Sequence, residues 1–109
     1  MKKFRIFAGL EGGFGGPNYI KTCLYENEGD AERNAQQCAI EEYESYEGYE
    51  GLHGIRSLND IAEEEDLDLN DERDLMVAEE IYYEDMESWI DFYVEEVKEG
   101  ELDIPEGYE

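Results

Sequence analysis

The chain has 109 residues, which is enough for one domain around a modest core. Thirty-two acidic residues face eight basic ones, and the net charge of −24 is well beyond the magnitude of about 2–8 that keeps a small domain soluble. Such a surface repels nucleic acid and anionic membranes and attracts cations and basic proteins, while 40% hydrophobic and 13% aromatic residues in periodic order argue against a disordered polyanion.

From Lys2 to Leu10 the residues alternate. Phe4, Ile6, Ala8 and Leu10 take one face and Lys3, Arg5 and Phe7 the other, which predicts a strand with one buried face. Three of the eight bases lie here, so charge is polarised away from this end. Lys2, Lys3 and Arg5 precede too short an apolar stretch for a signal peptide, and no run approaches the ~18–20 apolar residues of a membrane span. The expected compartment is the cytoplasm of a bacterial host. Cys23 and Cys38 lack metal-ligand spacing and are read as reduced, partly buried thiols, with a disulfide left open.

A glycine-rich connection, Gly12-Gly13-Phe14-Gly15-Gly16-Pro17, leads to a second strand, Asn18 to Tyr25. Ile20, Thr22 and Leu24 are expected on one face, with Tyr19, Lys21, Cys23 and Tyr25 on the other. The pair makes an antiparallel hairpin with a mobile tip and Phe14 either exposed or tucked back. The glycines do not form a phosphate loop, because proline and a strand follow where a helix would have to start.

A first helix is expected from Gly29-Asp30, capped by Asp30, to about Gly48. Its inner side carries Ala31, Ala35, Cys38, Ala39 and Tyr46, flanked by Ile40 and Tyr43. A short echo, Tyr43-Glu44-Ser45-Tyr46-Glu47-Gly48-Tyr49-Glu50-Gly51, sets tyrosines beside acids without amounting to a solenoid repeat. His53 is the single histidine and reads as a loop residue. Ser57-Leu58-Asn59-Asp60 is a capping box for a short helix to about Glu65, with Leu58, Ile61 and Ala62 inward.

Glu63 to Glu72 is the densest acidic stretch. Asp66, Asp68 and Asn70 imitate the start of a calcium loop, but Asp71 stands where the turn glycine belongs and Val77 where the bidentate glutamate belongs. No metal or other cofactor is therefore expected. Asn70 or Asp68 caps a final helix instead, with Asp71 and Glu72 at its positive end.

That helix is expected to run from Asn70 to Glu99, with a bend near Ser88. At about 100° per residue, Glu80, Glu84, Glu87, Asp91 and Glu95 fall within roughly 80° of one another. Leu75, Ala78, Tyr82, Met86, Trp89, Tyr93 and Val97 fall on the far side, widened by Tyr83, Ile90 and Val94. The acids are about 5–6 Å apart along the axis, the same order as neighbouring phosphates on a nucleic-acid strand. The wide apolar side offers a surface for pairing two subunits. Gly100 stops the helix, and 101–109 reads as a loose acidic tail. The whole is an α+β domain over 1–100, an N-terminal antiparallel hairpin or small sheet packed on three helices, the last one long and acidic.

The terminal acid-aromatic run, Tyr82-Tyr83-Glu84-Asp85-Met86-Glu87-Ser88-Trp89-Ile90-Asp91-Phe92-Tyr93-Val94-Glu95-Glu96-Val97, together with size and charge, resembles phage-encoded DNA mimics of the Ocr antirestriction and small acidic anti-CRISPR type. The N-terminal hairpin with Gly12 to Gly16 is not part of the Ocr pattern. The resemblance implies an inhibitor that fills the basic nucleic-acid groove of a bacterial defence protein, either a CRISPR effector or a restriction enzyme.

Three classes of function follow. In the first, carboxylates stand in for phosphates on a positively charged, nucleic-acid-binding protein, with no direct contact to nucleic acid or membrane. The candidate contact residues are Glu63, Glu64, Asp68, Asp71, Glu72, Glu80, Glu84, Glu87, Asp91 and Glu95. In the second, an acidic inhibitor or adaptor blocks a basic protein sterically or allosterically. The third, an enzyme using paired carboxylates, is disfavoured, because catalytic acids need unlike environments and convergent polar groups. These acids read as uniformly solvated.

Overall fold

The computed structural model describes residues 1–47, 55–105, 107 and 108. Its elements in chain order are β1 (Lys2–Leu10), β2 (Gly16–Tyr25), α1 (Glu28–Ser45), α2 (Leu58–Glu64), α3 (Glu72–Trp89) and β3 (Ile90–Glu96). The protein is α+β, with one antiparallel sheet of order β2-β1-β3 and three helices. The chain divides into two compact units, residues 1–42 with 90–109, and residues 43–89.

In the first unit the predicted hairpin is present, its tip a single 3-10 turn, Gly12–Phe14, with Phe14 half-buried. Gly9 on β1 has a specific reason to be glycine: a Cβ there would lie 2.5 Å from the Gly16 carbonyl oxygen of the facing strand. β1 is the central strand, and from Phe4 to Leu10 every residue is buried on both faces. The expectation of one buried face fails because β1 has a strand on each side and cover above and below. Phe4 and Ile6 join Ala31 and Ala35 of α1 in the core, with Tyr25, Cys38, Phe92 and Val94 around them. Alanines at 31, 35 and 39 keep one side of α1 thin, so the helix lies close to the sheet.

Two local readings change. Asn27, not Asp30, caps α1, its side-chain oxygen accepting from the Asp30 amide at 2.9 Å. On β2 the pairing slips by one residue, since Ile6 faces Lys21 while Phe7 faces Tyr19. The bulged Ile20 points outward, and Tyr19 moves to the face of Thr22 rather than that of Lys21 and Cys23. Both cysteines are free and half-buried.

The largest correction concerns the end of the chain. The expected helix from Asn70 to Glu99 stops at Trp89 after 18 residues, and Ile90–Glu96 is a strand. β3 pairs with β1 in unbroken register, from Phe4 opposite Glu96 to Leu10 opposite Ile90. Ile90, Phe92 and Val94 alternate with Asp91, Tyr93 and Glu95, so a strand period underlies the helical one. Pairing with a central strand that needs a second neighbour decides between them. The tail differs as well: residues 101–105, 107 and 108 are placed, and several of them dock on the sheet.

In the second unit α2 carries the predicted capping box, Ser57 accepting from the Asp60 amide at 3.2 Å and Asp60 from the Ser57 amide at 3.0 Å. Its Ile61 and Ala62 are buried, as are Ala78, Tyr82 and Met86 of α3. Tyr43 is fully buried and meets Tyr82 edge-on, with ring centroids 5.9 Å apart. The apolar side of α3 that was expected to pair subunits is thus largely internal. The tyrosine-acid echo is described only as far as Glu47, and His53 lies outside the described residues.

Candidate functional site

Charge is distributed unequally between the units. Residues 43–89 hold 17 acids and two bases, Arg56 and Arg73, for a net −15, against −9 for the rest of the chain. The candidate site is the outward side of α3 in this more acidic unit.

Asp71 sets the start of α3. Its carboxylate accepts from the amides of Arg73 at 2.9 Å and Asp74 at 3.3 Å, so the cap is Asp71 rather than Asn70 or Asp68. Asp68 accepts from the Asn70 amide at 3.0 Å, and its own amide donates to Asp74 at 3.0 Å. Asp66 adopts a left-handed backbone there, with φ of 55°. The expected contact residues Asp68 and Asp71 therefore shape the turn, although their side chains remain on an exposed segment. Among the described residues, no group of three or more carboxylate, thiol or imidazole side chains is arranged to hold a metal ion.

Glu64 is also committed. Arg56 donates to it at 2.8 Å and to Asp85 through Nε at 3.0 Å and a terminal nitrogen at 2.7 Å. These bonds hold the guanidinium charge even more firmly than usual, the Glu64 bond first and the Asp85 bond next. The arginine ties α2 to α3 and consumes two acids in doing so.

What remains is a set of exposed carboxylates, Glu63, Glu72, Glu80, Glu84 and Glu87, with no hydrogen bond or ion pair among the described residues. Glu80, Glu84 and Glu87 fall within about 60° of one another on α3. Asp91 and Glu95, the expected continuation of the row, belong to β3 in the other unit. Glu95 there pairs with Arg5. The row is therefore three helical acids long and does not reach five.

Three apolar side chains share that face. Met76 is 65% exposed, Tyr83 57% and Val77 44%. Tyr83 and Met76 flank Glu80 and Glu87, and Val77 lies beyond Glu84, so all six occupy an arc of about 120°. Arg73 is the one base in it. Tyr83 was expected to widen the inner apolar side. The helical angle shows otherwise, because a heptad separates it from Met76 on the acidic side. The signal was present in the spacing of residues 76, 80, 83 and 87.

No family model, curated protein sequence or solved structure matches the chain. Among the described residues, no helix is long and apolar enough to cross a membrane.

Proposed function

We propose that the protein binds a basic, nucleic-acid-binding protein of a bacterial defence system, such as a CRISPR effector or restriction enzyme, in the bacterial cytoplasm. It inhibits that protein by occupying the groove meant for nucleic acid. One observation carries this reading: Glu80, Glu84 and Glu87 form an exposed, rigid and uncompensated row in a unit of net charge −15. A helix fixes the spacing of the backbone positions that carry these carboxylates before binding, so little backbone order is lost when a basic groove closes on them. Opposite potentials steer the encounter, and affinity falls with salt because exposed charges are screened within about 8–10 Å at ordinary ionic strength. The chemistry is recognition rather than catalysis.

The exposed Met76, Val77 and Tyr83 favour a second reading, an acidic inhibitor or adaptor that binds a basic protein without entering its nucleic-acid groove. Large apolar side chains beside a charged row supply interface energy that charge alone does not, and they have no counterpart in a phosphate backbone.

Competition separates the two. Binding to purified defence effectors is measured with and without saturating cognate nucleic acid, for the natural chain and for E80K/E84K/E87K. Mimicry predicts loss of binding in both cases. Binding that survives charge reversal sinks the acidic-face reading altogether, and binding that survives only nucleic-acid loading selects the adaptor.

A further inference from the structure

On the face of the sheet opposite α1, the side chain that organises the contacts is Arg5, in the middle of the central strand and only 5% exposed. Its guanidinium donates through Nε to the Asp103 carbonyl at 3.1 Å, through one terminal nitrogen to the Leu102 carbonyl, and through the other to Glu95. Glu101 lies at 4.0 Å. Thr22, opposite Arg5 on β2, donates to the same Asp103 carbonyl at 2.7 Å. Since that bond uses the threonine proton, the 2.7 Å contact between Tyr19 and Thr22 has the tyrosine as donor. Lys3 holds the Asp103 carboxylate at 3.0 Å. Further along, Phe7 stacks on Tyr93 at 4.4 Å, and the Tyr108 ring meets both Phe7 and Tyr19.

These contacts read residues 101–103 and Tyr108 as a peptide. Two consecutive backbone carbonyls go to one arginine, one carboxylate goes to a lysine, and an aromatic ring five residues on goes to an aromatic floor. Gly100, with φ of 89°, turns the chain back over the sheet, and the turn is closed by the Glu101 amide on the Lys98 carbonyl at 3.0 Å. The Leu102 and Ile104 side chains are exposed, so Leu102 holds the segment down through its carbonyl alone.

We propose that this sheet face is a binding site for an extended, carboxylate-bearing peptide with an aromatic residue about five positions after its acid, and that the tail occupies it in cis through residues 101–105 and Tyr108 as a releasable strap. The site gathers Lys3 and Arg5 on a chain that has only eight bases, and it spends them on an acidic segment. Most of the hydrogen bonding is to backbone, so a peptide of another protein with the same carboxylate and ring fits the same positions. A tethered strap competes at a millimolar effective concentration, so the site opens to other peptides only when the strap lets go.

The test uses the full chain, with a fluorescently labelled peptide copying residues 101–109 as probe, at about 0.15 M salt to screen distant charge. D103K/Y108A unhooks the strap without touching the sheet. Backbone NMR relaxation at residues 101–104 should report a rigid segment in the natural chain and a flexible one in the double variant. The peptide should then bind the unhooked chain at least tenfold more tightly than the natural one. Adding Arg5→Gln should abolish binding, and adding Thr22→Val, which removes the hydrogen bond to the Asp103 carbonyl together with the acceptor for Tyr19 and keeps the branched shape of the side chain, should weaken it severalfold. Equal binding to both chains, no binding to the unhooked chain, indifference to Thr22→Val, or equal binding of a scrambled peptide would each overturn the proposal.

Discussion

Arg5 and Glu84 show two opposite treatments of charge in one small protein. On the sheet, charge is answered, and at Arg5 it is also buried. Arg5 meets Glu95 and two carbonyls, Lys3 meets Asp103, and Lys2 meets Glu96 at 3.5 Å. On the outer side of α3, charge is exposed and unanswered, three glutamates in a row beside Met76 and Tyr83. The first arrangement is what a fold needs when a cation is driven into its interior, because an unpaired buried charge costs several kcal/mol. The second contributes little to stability, because water already solvates it. Charge that the fold does not use is available to a partner, and on α3 that charge is Glu80, Glu84 and Glu87.

The largest effect should come from breaking the answered side. Arg5→Ala should cost about 2–3 kcal/mol in urea denaturation, through lost charged hydrogen bonds and an empty position in the central strand. A change within 0.5 kcal/mol would mean that the strap and sheet charges are solvated after all.

The second unit contains its own exception to that comparison, a buried polar pair without partners. The Tyr43 hydroxyl and one oxygen of Glu47 are buried with no hydrogen bond to any of the described residues. Burial, with Asp85 and Glu47 nearby and Arg56 opposing, pushes the Tyr43 hydroxyl up to about 12. Tyr43→Phe should therefore gain about 1 kcal/mol, since it removes an unsatisfied buried hydroxyl while the ring keeps its contact with Tyr82. A loss of stability would show that the hydroxyl has a partner.

Burial also raises the Glu47 carboxyl above its usual range, with Glu44 adding to the shift. The sign follows from linkage. Folding favours the protonated form, so this group's contribution is fully present below the unfolded value near 4.5 and is lost as pH rises through the folded value. Glu47→Gln should accordingly stabilise the chain at neutral pH by less than about 1 kcal/mol. The gain should disappear by about pH 4, as read from urea midpoints across that range. A gain that persists in acid would contradict the assignment.

The smallest stability effect belongs to the unanswered side. E80Q/E84Q/E87Q should shift stability by no more than about 0.5 kcal/mol per site, in either direction. The same variant should flatten the salt dependence of partner binding. If it instead unfolds the protein, α3 depends on those acids for more than recognition.

Much of this was legible in the residues taken in order. The strand from Lys2 to Leu10, the alanine row of α1, and the Ser57–Asp60 box each rest on neighbours within one turn or one strand, so local chemistry decides them. The acidic character of the site was legible too, because net charge needs no fold. Its extent was not. Residues 90–96 satisfy a helical period and a strand period at once, and only the vacant edge of β1 selects the strand, which removes Asp91 and Glu95 from the row.

The same holds for Arg5 and the tail. Three bases near the start of the chain announce a polarised charge, but nothing near position 5 says that residues about 97 positions later will cover it. By itself the sequence determined the class of fold, most of its elements and the sign of its surface, because propensity, periodicity and net charge are local or additive quantities. Tertiary structure alone decided which acids stand free and which are spent on pairing, because that depends on contacts between residues far apart in the chain.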